Sequence, residues 1–339
     1  MYRVGLIGAG GVGQKRAVAI AAHPHSELSV VCDLNPAAAA ALAQSYGAGL
    51  AASWEEVVQA PLDIVVVSTT HDFLAPISAA ALRQGKHVLA EKPLGRNPAE
   101  ARLAVEAATQ AGRLLKAGYN HRYHPAIAKV HEVFSAGQLG PLHFIRGRYG
   151  HGGRPGYERE WRADPAKSGG GELLDQGAHL VDLSLWFLGE CARVSGMVST
   201  RHWAIAPLED NAFGLFATAA GQVASLHVSW TQWKNLFCFE VFGRDGYASA
   251  NGLGGSYGPE YALVGARASQ GGPPQEERFD FPPGDESWAL EWADFIRAIQ
   301  TGQTPMAAGQ EALQTLEWIY RLYQAAREGR EVRADEQSS

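Results

Sequence analysis

The first thirty-three residues constrain this chain more than any other stretch. Arg3-Val4-Gly5-Leu6-Ile7 reads as a short buried strand, Gly8-Ala9-Gly10-Gly11-Val12-Gly13 follows at once, and a helix-competent run begins near Gln14. In G-x-G-x-x-G between a strand and a helix, Gly8 allows the tight turn and Gly10 lets backbone approach a ligand. Gly13 lets the helix pack close to its strand, and the helix N-terminus offers unsatisfied N–H groups to an anion such as a pyrophosphate. A second strand, Leu28 to Cys32, ends in Asp33, twenty residues past Gly13. A carboxylate there accepts hydrogen bonds from an adenosine ribose diol. Strand, glycine turn, helix, strand and acid in that order predict dinucleotide binding, with Gly8, Gly10, Gly11, Val12, Gly13 and Asp33 as the cofactor residues. The plainer alternatives are a glycine turn that holds no ligand and an exposed loop aspartate. A 2′-phosphate beside Asp33 would be repelled, and Leu34-Asn35-Pro36 brings no arginine to receive one. The expected cofactor is therefore NAD rather than NADP.

The same grammar continues to residue 120. Asp63 to Val67, Lys86 to Ala90 and Arg113 to Ala117 read as further strands, and Ile64-Val65-Val66-Val67 is a continuous apolar run. Such runs belong to parallel strands covered on both faces. Helices fit Gln14 to Ala22, Pro36 to Tyr46, Phe73 to Gln84 and Pro98 to Ala111, with Pro36 and Pro98 in the first turn, where proline is tolerated. After Tyr119 the pattern changes. A helix from Pro125 to Ser135 leads to a strand from Leu142 to Tyr149, a loop rich in Gly, Arg and Trp, and a helix near Glu172 to Leu188. Strands at Arg193 to His202, Asn211 to Thr218, Gln222 to Thr231 and Leu236 to Phe242 follow on short turns, which means antiparallel pairing. Gly271 to Pro283 reads as a surface loop, and helices Trp288 to Gln300 and Ala307 to Glu328 close the chain. The expected architecture is α/β. A doubly wound parallel Rossmann sheet occupies 1–120, an α+β domain with an open, mostly antiparallel sheet for substrate and oligomer contacts occupies 121–330, and 331–339 is a polar tail, frayed from Ala334 to Ser339.

Composition narrows the function classes. A chain of 339 residues with 46% hydrophobic and 19% charged residues builds two folded domains rather than a disordered one. The formal net charge is −6 without a basic run, which gives no footing for nucleic acid. No apolar run reaches transmembrane length and no leader peptide is read, so no membrane partner is expected. Cys32, Cys191 and Cys238 are too widely spaced for a metal-ligand pattern, and a reducing, cytoplasmic setting is the expectation.

Two further runs carry chemistry. Glu91-Lys92-Pro93 directly follows a predicted strand, which puts Lys92 at the carboxyl end where a nicotinamide would lie. An ammonium there can stabilise charge developing on an alcohol or carbonyl oxygen; an ordinary surface lysine is the alternative. Gly169-Gly170-Gly171-Glu172-Leu173-Leu174-Asp175-Gln176-Gly177-Ala178-His179 opens a helix with three glycines. Asp175 and His179, four apart, share one face of it. Imidazole is suited to proton exchange near neutral pH, and Asp175 can hold the ring or bind a substrate hydroxyl. A surface Asp–His pair is the alternative, and no third ligand stands out for a metal.

These motifs, in this order and at these distances, resemble the Gfo/Idh/MocA oxidoreductases, which include inositol and sugar dehydrogenases and glucose–fructose oxidoreductase. The resemblance covers essentially the whole chain. It implies a Rossmann domain followed by an α/β domain whose open sheet makes subunit contacts. It also implies reversible hydride transfer between a nicotinamide cofactor and a secondary alcohol of a sugar or polyol. Position by position, Lys92 is the polarising lysine, His179 the acid/base and Asp175 its neighbour; Glu91 joins the cofactor side. Two departures stand out. Family members often carry Thr-Pro-Asn-x-x-His after the third strand, whereas this chain has Ser68-Thr69-Thr70-His71-Asp72-Phe73-Leu74, leaving Thr69 and His71 as the cofactor candidates. Asn120-His121-Arg122-Tyr123-His124-Pro125 is richer in polar groups than the aromatic–arginine pattern often found there. Asn120 and Arg122, with Trp161 and Arg162, either line a sugar pocket or belong to a hydrogen-bond network at the domain junction.

The leading expectation is an NAD-dependent sugar or polyol dehydrogenase in which Lys92, Asp175 and His179 meet the substrate in the cleft between domains. A nucleotide-linked sugar is the first alternative, since Arg146, Arg148, Arg154, Arg159 and Arg162 can contact a diphosphate. A lyase or glycosidase that uses NAD without net redox is another. A non-catalytic dinucleotide sensor would lack Lys92 or His179, and both are present. Apolar residues at both alternations, as in Phe213-Gly214-Leu215-Phe216 and Leu236-Phe237-Cys238-Phe239, demand a cover on each sheet face. A homodimer or homotetramer is therefore expected.

Overall fold

The computed structural model describes residues 1–268 and 271–336. The chain opens with β1 (Tyr2–Ile7), α1 (Gly11–Ala22), β2 (Ser26–Cys32), α2 (Pro36–Tyr46), β3 (Gly49–Leu50), α3 (Trp54–Gln59), β4 (Ile64–Val67), α4 (His71–Arg83), β5 (His87–Glu91), α5 (Pro98–Ala111) and β6 (Leu115–Gly118). It continues with α6 (Pro125–Ser135), β7 (Leu142–Gly150), the short α7 (Pro165–Ser168) and α8 (Glu172–Asp175), and α9 (Gly177–Leu188). Strands β8 (Arg193–Ser199), β9 (Asn211–Ala217), β10 (Val223–Ser229), β11 (Leu236–Gly243), β12 (Gly246–Asn251), β13 (Tyr261–Ala266) and β14 (Gln275–Asp280) follow, then α10 (Ser287–Thr301), α11 (Gly309–Glu328) and β15 (Val332–Arg333).

Two compact units form. The first takes Met1–Asn120, Ala166–Gly169 and Trp288–Gln314; the second takes His121–Pro165, Gly170–Ser287 and Thr315–Ser339. Helix α10, read from sequence as part of the second domain, is packed in the first unit. Its Trp292, Phe295 and Ile296 bury against Val4, Leu6, Ala17, Ile20 and Leu28. Each such fully buried side chain contributes roughly 1.5–3 kcal/mol, and Trp292 Nε1 also donates to Ser26 Oγ at 2.9 Å. The amphipathic pattern marks α10 as a helix but does not say which sheet it covers.

In the first unit the sheet order is β3-β2-β1-β4-β5-β6, parallel throughout. The order reverses between β1 and β4, the switch point where such sheets bind ligands at their carboxyl ends. Helix starts follow local chemistry. The Asn35 side chain accepts from the Ala37 and Ala38 amides ahead of Pro36, and Asn97 Oδ1 accepts from Glu100 N at 2.9 Å ahead of Pro98. Caps of this kind are each worth about 1 kcal/mol.

The second unit is built on a nine-stranded sheet, β14-β13-β12-β11-β7-β10-β9-β8-β15, antiparallel except where β7 runs parallel to β10. One face is covered by helices: Leu180 of α9 lies against Gly147, and Leu322 of α11 against Gly196 and Gly214. The other face presents Phe144, Met197, Phe213 and Leu215, from 39% to 69% exposed. Three sequence expectations need correction. The stretch Gly271 to Pro283 is not wholly loop, because β14 adds an exposed antiparallel edge to β13. The strands β12 and β13 were not anticipated; their small residues, such as Ala248 and Ala250, are fully buried. The polar tail is tied down where it is described. Val332 is fully buried and pairs with Val194, and Ala334 N donates to Ala192 O at 2.9 Å. Residues 337–339 of that tail lie outside the described residues.

Candidate active site

The glycine turn is built as its spacing requires. Gly8 sits at φ 101°, a conformation that favours glycine, and Ser68 Oγ, just past β4, donates to its carbonyl at 2.8 Å. A Cβ on Gly13 would overlap the Gly8 carbonyl oxygen, so helix–strand contact alone demands glycine there. Gly10 and Gly11 differ. A Cβ at either would meet no heavy atom of the described residues within 4 Å, and no side chain among them caps the start of α1. Open space over uncapped amides at a helix N-terminus fits a pyrophosphate. Val12 and Thr69 are half-buried beside this turn. Asp33 is half-buried, and its Oδ2 accepts from Ala9 N at 2.6 Å and its Oδ1 from Asn35 N at 2.7 Å. The acid thus braces the turn, and its remaining lone pairs can take a ribose hydroxyl. His71 begins α4, is buried, and its Nδ1 lies 2.8 Å from the carbonyl of Ser168. The residues present fit a dinucleotide.

Lys92 follows β5 and is half-buried. The turn after it closes by Leu94 N donating to Glu91 O at 3.2 Å, with Leu94 fully buried at φ 77°. A left-handed leucine of this kind costs of order 1–3 kcal/mol and persists only where its surroundings fix it. They are fixed by charge. Arg16 of α1, fully buried, donates from Nε to Glu91 Oε1 at 2.7 Å and from Nη1 to Glu291 Oε2 at 2.5 Å. Lys116 of β6 lies 3.9 Å from Glu291 and 3.7 Å from Asp294, and donates to the Met306 carbonyl. A Cβ on Gly118 would meet Arg16 Nη2 at 2.6 Å and Glu91 Oε2 at 2.9 Å, so only glycine leaves room for the pair. Burial pushes the Glu91 carboxyl up and Arg16 draws it back down; Glu291 adds to the rise and Lys92 opposes it. Sequence reading treated Glu91 as part of a motif and missed Arg16 and Glu291 altogether. An arginine three residues past the last motif glycine was the available signal, but its partner lies 275 positions away.

The second unit holds Asp175 and His179, both buried. The helical run is in two pieces, α8 and α9, joined at Gln176. Its start is held by Glu209, whose carboxylate accepts from Gly171 N at 3.2 Å, Leu173 N at 3.0 Å and the Tyr323 hydroxyl at 2.7 Å. Burial raises the Glu209 carboxyl and these donors pull it back. The glycines of this run make room for neighbouring protein atoms. A Cβ on Gly171 would overlap the Glu209 backbone and one on Gly170 would crowd the Tyr323 hydroxyl at 2.5 Å, so these glycines admit protein. Asp175 Oδ2 accepts from Arg162 Nε at 2.8 Å, and Asp175 raises the Arg162 pKa against the effect of its burial. Arg162 also lies over the Trp161 ring at 4.6 Å. His179 stacks face to face on His121, centroids 3.7 Å apart and planes at 22°.

Other candidates fall to structural duties. Arg122 is buried and forms a two-pronged pair with Asp182, Nε to Oδ2 at 2.8 Å and Nη2 to Oδ1 at 2.7 Å, over the Trp186 ring. It is thus tied into an internal ion pair. Asn120 is buried at the end of the first unit. Four of the five arginines weighed as diphosphate contacts carry carboxylate partners: Arg146 with Glu240 at 2.9 Å, Arg154 with Glu160 at 2.6 Å, Arg159 with Glu158 at 3.9 Å, and Arg162 with Asp175, while Arg148 hydrogen-bonds the Cys238 thiol. Among the described residues no group of three His, Cys, Asp or Glu side chains forms a metal site, and no helix is long and apolar enough to cross a membrane.

Known proteins bear on this geometry. Residues 2–119 match the family model described as an oxidoreductase family with an NAD-binding Rossmann fold, and 127–249 match the Gfo/Idh/MocA C-terminal domain. A levoglucosan dehydrogenase of Pseudarthrobacter phenanthrenivorans is 29% identical over 58% of this chain, and the match spans about half, 54%, of that protein's length. A 1,5-anhydro-D-fructose reductase of Ensifer adhaerens is 28% identical over 97% of both chains. A solved levoglucosan dehydrogenase in complex with NADH and L-sorbose shares the fold at TM-score 0.90 and 22% identity over 99% of both chains. The glycine turn, the uncapped α1 amides and Asp33 belong to an NAD-binding Rossmann domain, and the chain is a member of the Gfo/Idh/MocA oxidoreductase family.

Proposed function

We propose that this protein is an NAD-dependent dehydrogenase acting on a secondary alcohol of a free sugar or polyol. The observation that carries the reading is the investment around Lys92, a lysine at the carboxyl end of β5 in an NAD-binding domain, fixed by the buried Arg16–Glu91 pair. Bound NAD supplies the hydride acceptor. Gly8, Gly10, Gly11, Val12, Gly13 and Asp33 would hold it, with Thr69, His71 and Glu91 on the same side. Lys92 donates a hydrogen bond to the substrate oxygen and stabilises the negative charge that grows there. His179 takes the hydroxyl proton. Asp175, oriented by Arg162 at 2.8 Å, accepts from a neighbouring hydroxyl, and Trp161 offers an aromatic face to the ring.

Asp33 supports NAD over NADP, because its carboxylate would repel a 2′-phosphate. Occupied arginines in the loop after β7 support a free sugar over a nucleotide-linked one. The apolar outer face of the second unit's sheet supports a homodimer or homotetramer closed by that face. Three buried, unpaired cysteines support a reducing, cytoplasmic setting. The test is NADH formation across inositols, aldoses, glycosides and nucleotide sugars, with light scattering at micromolar concentration. Turnover with one class of free sugar or polyol, by an oligomer, is expected. Reduction of NADP alone, or product without net reduction, overturns the reading.

A further inference from the structure

Residues Ala166–Gly169 belong to the first unit, although the chain on both sides of them, His121–Pro165 and Gly170–Ser287, folds in the second. Three attachments hold them. His71, buried at the start of α4, has its Nδ1 2.8 Å from the carbonyl of Ser168, which is also buried. A carbonyl only accepts, so the ring carries its proton on Nδ1. Arg96, paired with Glu100 at 2.6 Å, donates from Nη1 to the Ala166 carbonyl at 2.5 Å. Gly169, at φ 78°, lies so close to the Arg96 backbone that a Cβ there would meet the Arg96 carbonyl oxygen at 2.7 Å. His71 follows β4 and Arg96 follows β5, neighbours in the parallel sheet. The attachments therefore sit on the loops past the carboxyl ends of the strands, where such sheets bind ligands.

We propose that residues 166–169 form a clasp, that His71 is the positioning residue that keeps it closed, and that the clasp tightens substrate binding by fixing where the chain leaves for Asp175. The proposal rests on the reading of Asp175 as a group that binds a substrate hydroxyl. Arg96 is four residues past Lys92, and Gly169 is six before Asp175, so the clasp is a short covalent route from the Lys92 loop to that carboxylate. Its far end is held as well. Gly171 and Leu173 give their amides to Glu209, which leaves Gly170 alone between the two anchorages. A short segment held at one end opens in local fluctuations that leave the rest of the fold intact. Held at both ends, it is ordered before substrate arrives, and affinity is not reduced by ordering it on binding. The sequence offered His71 as a cofactor contact, yet its Nδ1 proton is directed at protein.

The experiment is limited trypsin digestion of the native chain saturated with NADH, beside steady-state kinetics, in wild type, His71→Phe and His71→Asn. Lys167 is exposed within the clasp, and trypsin cuts after it in proportion to the fraction of molecules in which the segment is open. Phenylalanine fills the space of the ring without a donor, whereas asparagine sets an amide N–H near the place of Nδ1–H. Loss of one ordinary hydrogen bond should speed cleavage after Lys167 in His71→Phe by roughly threefold to tenfold, read by mass spectrometry, and His71→Asn should restore the protection. KM for the alcohol should rise by a similar factor in His71→Phe, more than kcat falls and more than NADH affinity weakens. Unchanged cleavage after Lys167 overturns the proposal. Cleavage that rises equally at every exposed Lys and Arg reports a loosened fold and overturns it too. Weaker NADH binding with KM and cleavage unchanged would make His71 a cofactor contact instead of a positioning residue. The protease arm needs no substrate, so a wild type that oxidises no alcohol overturns the proposed function, while cleavage after Lys167 still decides whether His71 holds the clasp.

Discussion

Arg16 and Glu91, 75 positions apart, meet at 2.7 Å with the arginine wholly out of solvent. The pair joins the first helix after the glycine turn to the residue before Lys92, and Glu291 of α10 holds the other end of the guanidinium. Breaking a buried pair from one side is costly because it strands the partner charge. Arg16→Met leaves Glu91 and Glu291 facing each other and should lose about 3–5 kcal/mol, read as a fall in the urea unfolding midpoint. An unchanged midpoint would mean that these carboxylates are neutral without the arginine.

Lys92→Ala and His179→Ala should each lower turnover by roughly 10²–10⁴. NAD affinity should survive, since the glycine turn and Asp33 are untouched. Steady-state rates and a fluorescence titration with NADH check the two halves separately. A variant that turns over like wild type has no part in the chemistry.

Asp33 has two duties that two substitutions separate. Asp33→Asn keeps an oxygen for the Ala9 amide but drops the charge, whereas Asp33→Ala also removes the brace. Both should weaken NAD and narrow the gap to NADP. A hydrogen bond to a charged group is worth about 1.5–3 kcal/mol, so the NAD dissociation constant should rise by one to two orders of magnitude. Asp33→Ala should additionally lower thermal stability. Tighter binding of NADP than NAD by the wild type would remove Asp33 from the selection.

What the sequence discloses here is local. The glycine turn, Pro36 and Pro98 at helix starts, and the apolar run Ile64 to Val67 each announce their structure within a few residues. The partners of Arg16, of the α8 start and of Arg122 lie 275, 38 and 60 positions away. No spacing rule pairs Glu209 with Gly171, and nothing in Asn120 to Pro125 says that Arg122 turns inward to Asp182 while His121 lies flat on His179. The short β3 and α3 were also missed, because two and six residues carry no periodicity to detect.

His87 makes folding sensitive to acid. Its Nδ1 accepts from Leu114 N at 3.1 Å, and burial, helped by Arg113 and opposed by Asp63, pushes its pKa down to about 4. The unfolded chain takes up this proton near the ordinary histidine value, about 6.5, while the folded chain does not. The stabilisation is therefore whole above about pH 6.5 and is lost as pH falls toward 4. In His87→Gln, which keeps an acceptor for Leu114, the drop in urea midpoint between pH 7.5 and 5 should be smaller than in wild type. An equal drop would assign the acid sensitivity elsewhere, with His131, also pushed down to about 4, the next to test.

The motif glycines should fail in different ways. Gly13→Ala forces a methyl into the Gly8 carbonyl, which only a shift of α1 away from β1 can relieve. That shift opens the contact between Ala17, Ile20 and the strand core, so Gly13→Ala should lower the thermal midpoint and lose NAD binding together. Gly10→Ala places its methyl where no described heavy atom lies within 4 Å. Its fold and melting temperature should match the wild type, while the methyl occupies the space a pyrophosphate needs against the α1 amides. A calorimetric titration with NADH beside a thermal melt resolves the two. If Gly10→Ala binds NADH as the wild type does, the open space over the α1 N-terminus is not where the diphosphate rests.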